Sequence, residues 1–96
     1  MNTDPLWKIS ASSPIEWASW GDNAVVYNIG SGDTHLLEAT TVEVYLALEQ
    51  TPSTATQLSQ EIKPLFEDIE THALIQHIQN VLWHLDDIGL IEPDTL

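Results

Sequence analysis

Short runs in the first part of the chain alternate between apolar and polar residues, which is the period of a half-buried β-strand. The alternation occurs in Ile15–Trp20, and residues 24–29 are rich in the β-branched and aromatic residues that strands favour. Turn-forming residues at 21–23 and 30–33 separate these runs from a third one, Thr34–Leu37. The pattern predicts a three-stranded antiparallel meander with Thr34–Leu37 at one edge.

After Leu37 the period changes to about 3.6 residues, which indicates helix. Thr40 and Glu43 have the spacing of a capping box, and they predict a first helix over 41–49. The same spacing at 54–57 predicts the start of a second helix, which Pro64 limits near its end.

A third and longer helix is predicted over 69–87, with Asp68 as its cap and Gly89 in the left-handed position past its end. Its core stripe consists of Leu74, Ile78, Val81, Leu85 and Ile88. Ile75 and Leu82 lie at the margin of this stripe, and a second flank carries Gln79, Trp83 and His72. This flank is either the wall of a groove or peripheral core, because partial burial is normal for tryptophan.

Ninety-six residues are enough for one domain with its own core. We predict an extended or flexible lead-in over 1–14, a single domain over 15–93 and a short tail over 94–96. The predicted fold class is α+β, a three-stranded antiparallel sheet followed by three helices.

The charge balance is strongly acidic, since fifteen carboxylates stand against only Lys8 and Lys63, giving a formal net charge of −13. Such a chain repels phosphate backbones, which argues against a nucleic-acid partner, and attracts basic segments. The charge could also serve solubility alone. Cysteine is absent, and we find neither a signal peptide nor a long apolar run, so a cytoplasmic protein without membrane association is expected.

No set of residues has the spacing of an active site or a metal site. His77 and His84 are seven residues apart, about 10.5 Å along a helix, which is too far to share one ion. The adjacent carboxylates Asp86 and Asp87 point about 100° apart on a helix, so they do not form an acid/base pair. Ser31 lies in a glycine-rich turn without the lysine of a P-loop. We therefore expect a non-catalytic protein without cofactor or metal.

The order of these elements resembles that of the PqqD family. The resemblance covers roughly residues 15–93, and it is carried by Gly32-Asp33-Thr34-His35-Leu36-Leu37 and by the closing Leu85-Asp86-Asp87-Ile88-Gly89-Leu90-Ile91. The first of these segments is similar to the small PqqD-type proteins of loci that encode HPr-related kinases. The chain departs from the family at Glu38, where many members have asparagine.

The resemblance implies a winged helix-turn-helix-like domain of the kind called a RiPP recognition element, which holds the leader of a precursor peptide for a modifying enzyme. In that family the leader adds as a strand to the third strand and lies against the third helix. Carried over to this sequence, the edge consists of Thr34, His35, Leu36 and Leu37, and the groove wall consists of Ile75, Gln79, Leu82 and Trp83.

Three functions follow as hypotheses. The first is a peptide chaperone that recognises a leader and presents it to a modifying enzyme. The second is an adaptor for a neighbouring HPr-related kinase or another enzyme, with no peptide processed. The third is a DNA-binding winged helix, which the shortage of Lys and Arg opposes. Because an exposed strand edge can also pair with its own copy, a monomer or a weak homodimer is expected.

Overall fold

The computed structural model describes residues 5–10 and 15–94. In chain order the strands and helices are β1 (Trp7–Ile9), β2 (Ile15–Trp20), β3 (Asn23–Asn28), β4 (Thr34–Leu37), α1 (Ala39–Gln50), α2 (Ala55–Ile62), α3 (Thr71–Asp87) and β5 (Ile91–Pro93). A single 3₁₀ turn, Lys63–Leu65, follows α2. The architecture is α+β and winged helix-turn-helix-like, as the sequence predicted.

β2, β3 and β4 form an antiparallel sheet in that order, which confirms the predicted meander and leaves β4 at one edge. Residues directly opposite each other in an antiparallel pair point to the same face. Ala24 lies opposite Leu37, and Val26 lies opposite His35. The side chains of Ala24, Val26 and Leu37 are buried beneath the helices. Val25, Tyr27, Thr34 and Leu36 therefore belong to the outer face.

The turn between β3 and β4 is built on the nearly buried side chain of Asn28. Its Oδ1 accepts hydrogen bonds from the backbone N–H groups of Gly30, at 2.9 Å, and Ser31, at 3.2 Å. Gly32 has a φ of +82°, a conformation that glycine adopts without strain. The turn fixes where β4 leaves the sheet.

The first helix begins earlier than predicted. The N–H of Val42 donates to the C=O of Glu38 at 2.9 Å, so helical bonding already includes Ala39. Glu38 takes the N-cap position in an extended conformation, and no side chain caps it. The Thr40–Glu43 capping box was therefore wrong, because Thr40 lies inside the first turn.

The capping box at Thr54 is confirmed. Thr54 Oγ1 accepts from the Gln57 N–H at 3.1 Å, and Gln57 Oε1 accepts from the Thr54 N–H at 2.8 Å. These reciprocal bonds satisfy two of the backbone donors that every helix start leaves open.

The start of α3 was predicted two residues too early, and its cap was assigned to the wrong acid. Glu70 is the cap, with its Oε1 accepting from the His72 N–H at 3.0 Å. Ile69 precedes the helix because its N–H bonds to the Phe66 C=O and its own C=O accepts from the Lys63 ammonium. Asp68 therefore lies in a turn.

The end of α3 agrees with the prediction. Gly89, at φ +83°, donates to the Asp86 C=O at 3.0 Å, and Leu90 donates to the Leu85 C=O at 3.0 Å. These two bonds define a Schellman motif. The motif turns the chain so that Leu90 and Ile91 enter the core.

A second, two-stranded sheet joins the two ends of the described chain. β1 pairs with β5 in antiparallel fashion, and Trp7, only 5% exposed, packs into the core. Lys8 lies 3.7 Å from Glu92 and 3.6 Å from Asp94. The sequence predicted an extended lead-in over β1, but it did not predict that β1 pairs with β5. The predicted domain boundary falls at residues 11–14, which lie outside the described residues.

The helices and both sheets surround a single core. Most of its members come from the helices, and fully buried examples are Val26, Leu37, Val44, Leu58, Leu74, Ile78 and Leu85. Ile88, the last member of the predicted stripe on α3, is only partly buried. No helix in residues 5–10 and 15–94 is long and apolar enough to cross a membrane.

Candidate peptide-binding edge and cleft

The outer edge of β4 is unpaired within the described part of the chain. The Asn28 N–H donates to the Asp33 C=O at 2.8 Å, so the pair 28/33 is a hydrogen-bonded pair. Such pairs alternate along an antiparallel ladder, which makes 26/35 and 24/37 bonded pairs as well. The N–H and C=O groups of Thr34 and Leu36 consequently point away from β3, toward the open edge.

A cleft of about 260 Å³ lies between the end of β4, the start of α1 and the second half of α3. Its lining residues are Leu36, Leu37, Glu38, Thr41, Asn80, Val81 and His84. The volume is below the roughly 300–1,000 Å³ of typical small-molecule sites. The cleft is therefore suited to one or two side chains of a larger ligand.

The chemistry of the cleft is mixed. Leu37 and Val81 supply an apolar floor, and both are buried. Glu38, Asn80 and His84 are exposed polar residues around it. Such a pocket accommodates an apolar side-chain stem together with a polar or basic end.

The four predicted edge residues form β4, and their contact with a peptide stays a prediction. Thr34 and Leu36 are exposed, Leu36 to 57%. His35 and Leu37 turn toward the helices. An added strand would therefore direct alternate side chains toward the cleft and toward the outer face.

One buried side-chain nitrogen in β4 makes no hydrogen bond within the described residues. His35 Nε2 is buried and has no hydrogen-bond partner within the described residues. A buried polar atom without a partner is unfavourable by about 1–3 kcal/mol. This position is the least well satisfied polar group in the described part of the strand.

The predicted groove wall does not line this cleft. Leu82 is 1% exposed and belongs to the core, whereas Trp83 is 61% exposed. Ile75 and Gln79 are half-buried and also lie outside the cleft lining. Peptide contact by any of the four stays a prediction.

The cleft instead uses the flank of α3 on the other side of the core stripe. Asn80 and His84 are four residues apart on one helix face and border Val81. Successive helical residues point about 100° apart, so Trp83 faces well away from His84. The sequence carried no signal that the flank with Asn80 and His84 borders this cleft, and its prediction concerns the flank with Trp83.

Other site chemistry does not assemble among the described residues. No three His, Asp or Glu side chains there are grouped so that they could hold a metal ion. Burial raises the pKa of Tyr45 to about 12, with a further contribution from the charge of Glu49. Tyr45 packs edge-on against Trp17, at a ring-centroid distance of 4.9 Å.

The fold is of a class known from solved structures. It is similar to that of TbiB1 in complex with the TbiA(beta) leader peptide, with a TM-score of 0.73 and 19% sequence identity over 88% of this chain and 94% of that chain. At this identity the likeness establishes a shared fold. No family model matches the sequence, and no curated protein matches it.

Proposed function

We propose that this protein is a non-catalytic accessory that binds an extended peptide by strand addition to β4 and presents it to a modifying enzyme. The observation that carries the proposal is the open edge at Thr34 and Leu36 beside the cleft of α3. The PqqD-like order of elements supports it. So does the structural likeness to TbiB1, a protein solved with a leader peptide.

The geometry defines how such a peptide would be held. Thr34 and Leu36 together offer two N–H donors and two C=O acceptors, so a peptide can form up to four main-chain hydrogen bonds. A segment of about five residues spans roughly 16 Å, slightly more than the length of β4. Since main-chain bonds tolerate most sequences, the cleft at Val81 and His84 would supply selectivity.

The charge favours peptide over nucleic acid. The net charge is −13, and both lysines are engaged, Lys8 with Glu92 and Asp94 and Lys63 with the Ile69 carbonyl. A basic leader would therefore associate faster than a neutral one, and salt would reduce that advantage. We propose affinities in the micromolar range, because the contact area is small.

The experiment is a display selection of random peptides of about 12 residues on the wild-type protein, with counter-selection on Leu36→Pro. Proline removes the outward N–H of residue 36 but leaves the bonds between β3 and β4 intact. Leu36→Val is the matched control, because it keeps the N–H and a β-compatible side chain.

Affinity is then measured by fluorescence anisotropy of a labelled selected peptide. We expect Leu36→Pro to weaken binding tenfold or more, since one hydrogen bond contributes about 0.5–1.5 kcal/mol and the ring also blocks the edge. Leu36→Val should change affinity less than threefold. If proline and valine have equal effects, or if no peptide is enriched, strand addition is refuted.

A second measurement does not depend on the fold of the proline variant. Amide hydrogen exchange of the wild-type protein should be fast at Thr34 and Leu36 when free, and slower once the selected peptide is bound. Exchange at His35 should already be protected in the free protein. Unchanged exchange at Thr34 and Leu36 on saturation would contradict the proposed binding mode.

A further inference from the structure

A second and larger groove lies on another side of the molecule. Its volume is about 580 Å³, and it is enclosed by the β2–β3 turn, one face of α1 and the segment after α2. It shares no lining residue with the cleft beside β4. The apolar part of its lining is formed chiefly by Trp17, Val42, Leu46, Leu65 and Phe66.

Two leucines at this groove are exposed in a way that folding does not explain. Leu46 is 43% exposed although it lies in the middle of α1, and Leu65 is 61% exposed. Water-exposed leucines that border a preformed apolar cavity gain free energy when a partner covers them. The groove is therefore suited to large apolar side chains.

The charges around the groove all have one sign. Asp22, Glu43 and Glu49 line it, and neither lysine does. Burial chiefly raises the pKa of Tyr45, and the charge of Glu49 adds to this rise, as a nearby negative charge does. An apolar occupant with lysine or arginine at its borders would thus be complementary in both surface and charge.

The shape of the wall indicates a helical occupant. Ala39, Val42, Leu46 and Glu49 follow one another at spacings of three or four residues, so with Glu43 beside them they form one face of α1 about 15 Å long. That length matches nearly three turns of a second helix. Helix-in-groove recognition uses apolar anchors at the same spacing.

We propose that this acidic groove binds a basic amphipathic helix of a partner protein while β4 stays free for the peptide. The inference rests on the proposed function, because the partner is then the protein to which the bound peptide is presented. It names the surface and the chemistry of that partner: two or three large apolar side chains flanked by Lys or Arg.

The test uses two synthetic helical peptides of about 18 residues with the same leucine stripe, one with lysine and one with glutamate on the polar face. Backbone amide shifts of the full chain are followed by NMR during titration. We expect the lysine peptide to shift residues 17–24, 39–49 and 65–66 and to leave β4 unchanged. The glutamate peptide should not bind.

Variants distinguish groove binding from general attraction to an acidic protein. Leu46→Asn and Leu65→Asn should each weaken the lysine peptide at least fivefold, whereas Ile29→Asn, an exposed apolar residue elsewhere, should change affinity less than twofold. The double variant Glu43→Gln, Glu49→Gln should weaken binding at least threefold. Glu16→Gln with Asp87→Asn removes the same charge elsewhere and should leave affinity within twofold.

The proposal is overturned if the groove leucine variants bind like the wild type, if both charge pairs have equal effects, or if the shifted amides are scattered over the surface. The titration is repeated on Leu36→Pro, which should weaken strand addition at β4 and leave the groove unchanged. Retained binding there, alongside a failed peptide selection, would refute the proposed peptide function and leave the groove standing. Lost groove binding with normal peptide binding would refute only the groove.

Discussion

Asn28 holds the turn that positions β4, and its replacement gives a direct test of how the edge is built. Asn28→Ala removes the two bonds that Oδ1 accepts from Gly30 and Ser31. It leaves the backbone bonds of residue 28 to Gly32 and Asp33 in place. The side chain is only 4% exposed, so the substitution also leaves a small void.

The expected destabilisation follows from these contacts. A hydrogen bond of this kind contributes about 0.5–1.5 kcal/mol, and because Gly30 and Ser31 are exposed, water can replace part of the loss. We expect the free energy of unfolding to fall by about 1–2 kcal/mol. For a domain of this size the melting temperature should fall by roughly 5–15 °C.

Thermal and urea unfolding followed by circular dichroism measure this change. Ser31→Ala is the matched control, since it removes one exposed bond in the same turn, from the Asp33 N–H to Ser31 Oγ at 3.2 Å. It should lower stability by less than about 0.5 kcal/mol. Asn28→Asp retains an acceptor oxygen and should recover part of the loss.

The turn also sets the register of β4, so Asn28→Ala should weaken peptide binding at temperatures where the variant remains folded. If Asn28→Ala is no less stable than Ser31→Ala, the buried amide does not hold the turn. The argument that the turn pre-positions the edge would then be refuted.

Four further predictions concern stability. Burial and the charge of Glu49 raise the pKa of Tyr45 to about 12, so the unfolded chain loses the Tyr45 proton at a lower pH than the folded chain. The contribution of Tyr45 to stability is therefore complete below pH 10 and falls as the pH rises toward 12, by at most about 1.4 kcal/mol per pH unit. Urea titrations of Tyr45→Phe should lack this pH-dependent loss. His35→Phe removes the unpartnered Nε2 and should leave the free energy of unfolding unchanged or raise it by up to about 1 kcal/mol. A loss of more than about 1 kcal/mol would contradict the argument that the buried Nε2 is unfavourable. Thr54→Ala should lower stability by about 1 kcal/mol through loss of the capping box, with Thr54→Ser as the conservative control. Gly89→Ala should lower it by about 1 kcal/mol, because residue 89 has a φ of +83°, and equal melting temperatures would refute the strain.

The sequence predicted those features whose cause is local. The alternation in Ile15–Trp20, the reciprocal bonds at Thr54 and the Schellman motif at Gly89 each depend on residues a few positions apart. Helix starts were less accurate where two candidate caps compete. Glu70 took the position predicted for Asp68, because the Lys63 bond to the Ile69 carbonyl extends the preceding turn.

Features that depend on distant residues could not be predicted. β1 and β5 have three residues each, too few for a period, and they come from opposite ends of the chain. The flank of α3 that meets β4 is likewise set by how the helix rotates in the core. Leu82 and Val81 are both buried, so the apolar pattern alone does not distinguish the two flanks.

The two proposed binding surfaces lie on opposite sides of α1. Thr41 lines the cleft beside β4, whereas its neighbours Val42 and Glu43 line the acidic groove. A peptide added to β4 extends the sheet beyond its open edge, but the groove borders the β2–β3 turn at the other side. The two occupants therefore do not compete for space, and the buried residues between them, Val44 and Leu48, tie both surfaces to one rigid core. The proposed function needs two separate surfaces, because an edge of β4 that is filled by a peptide cannot also bind the enzyme.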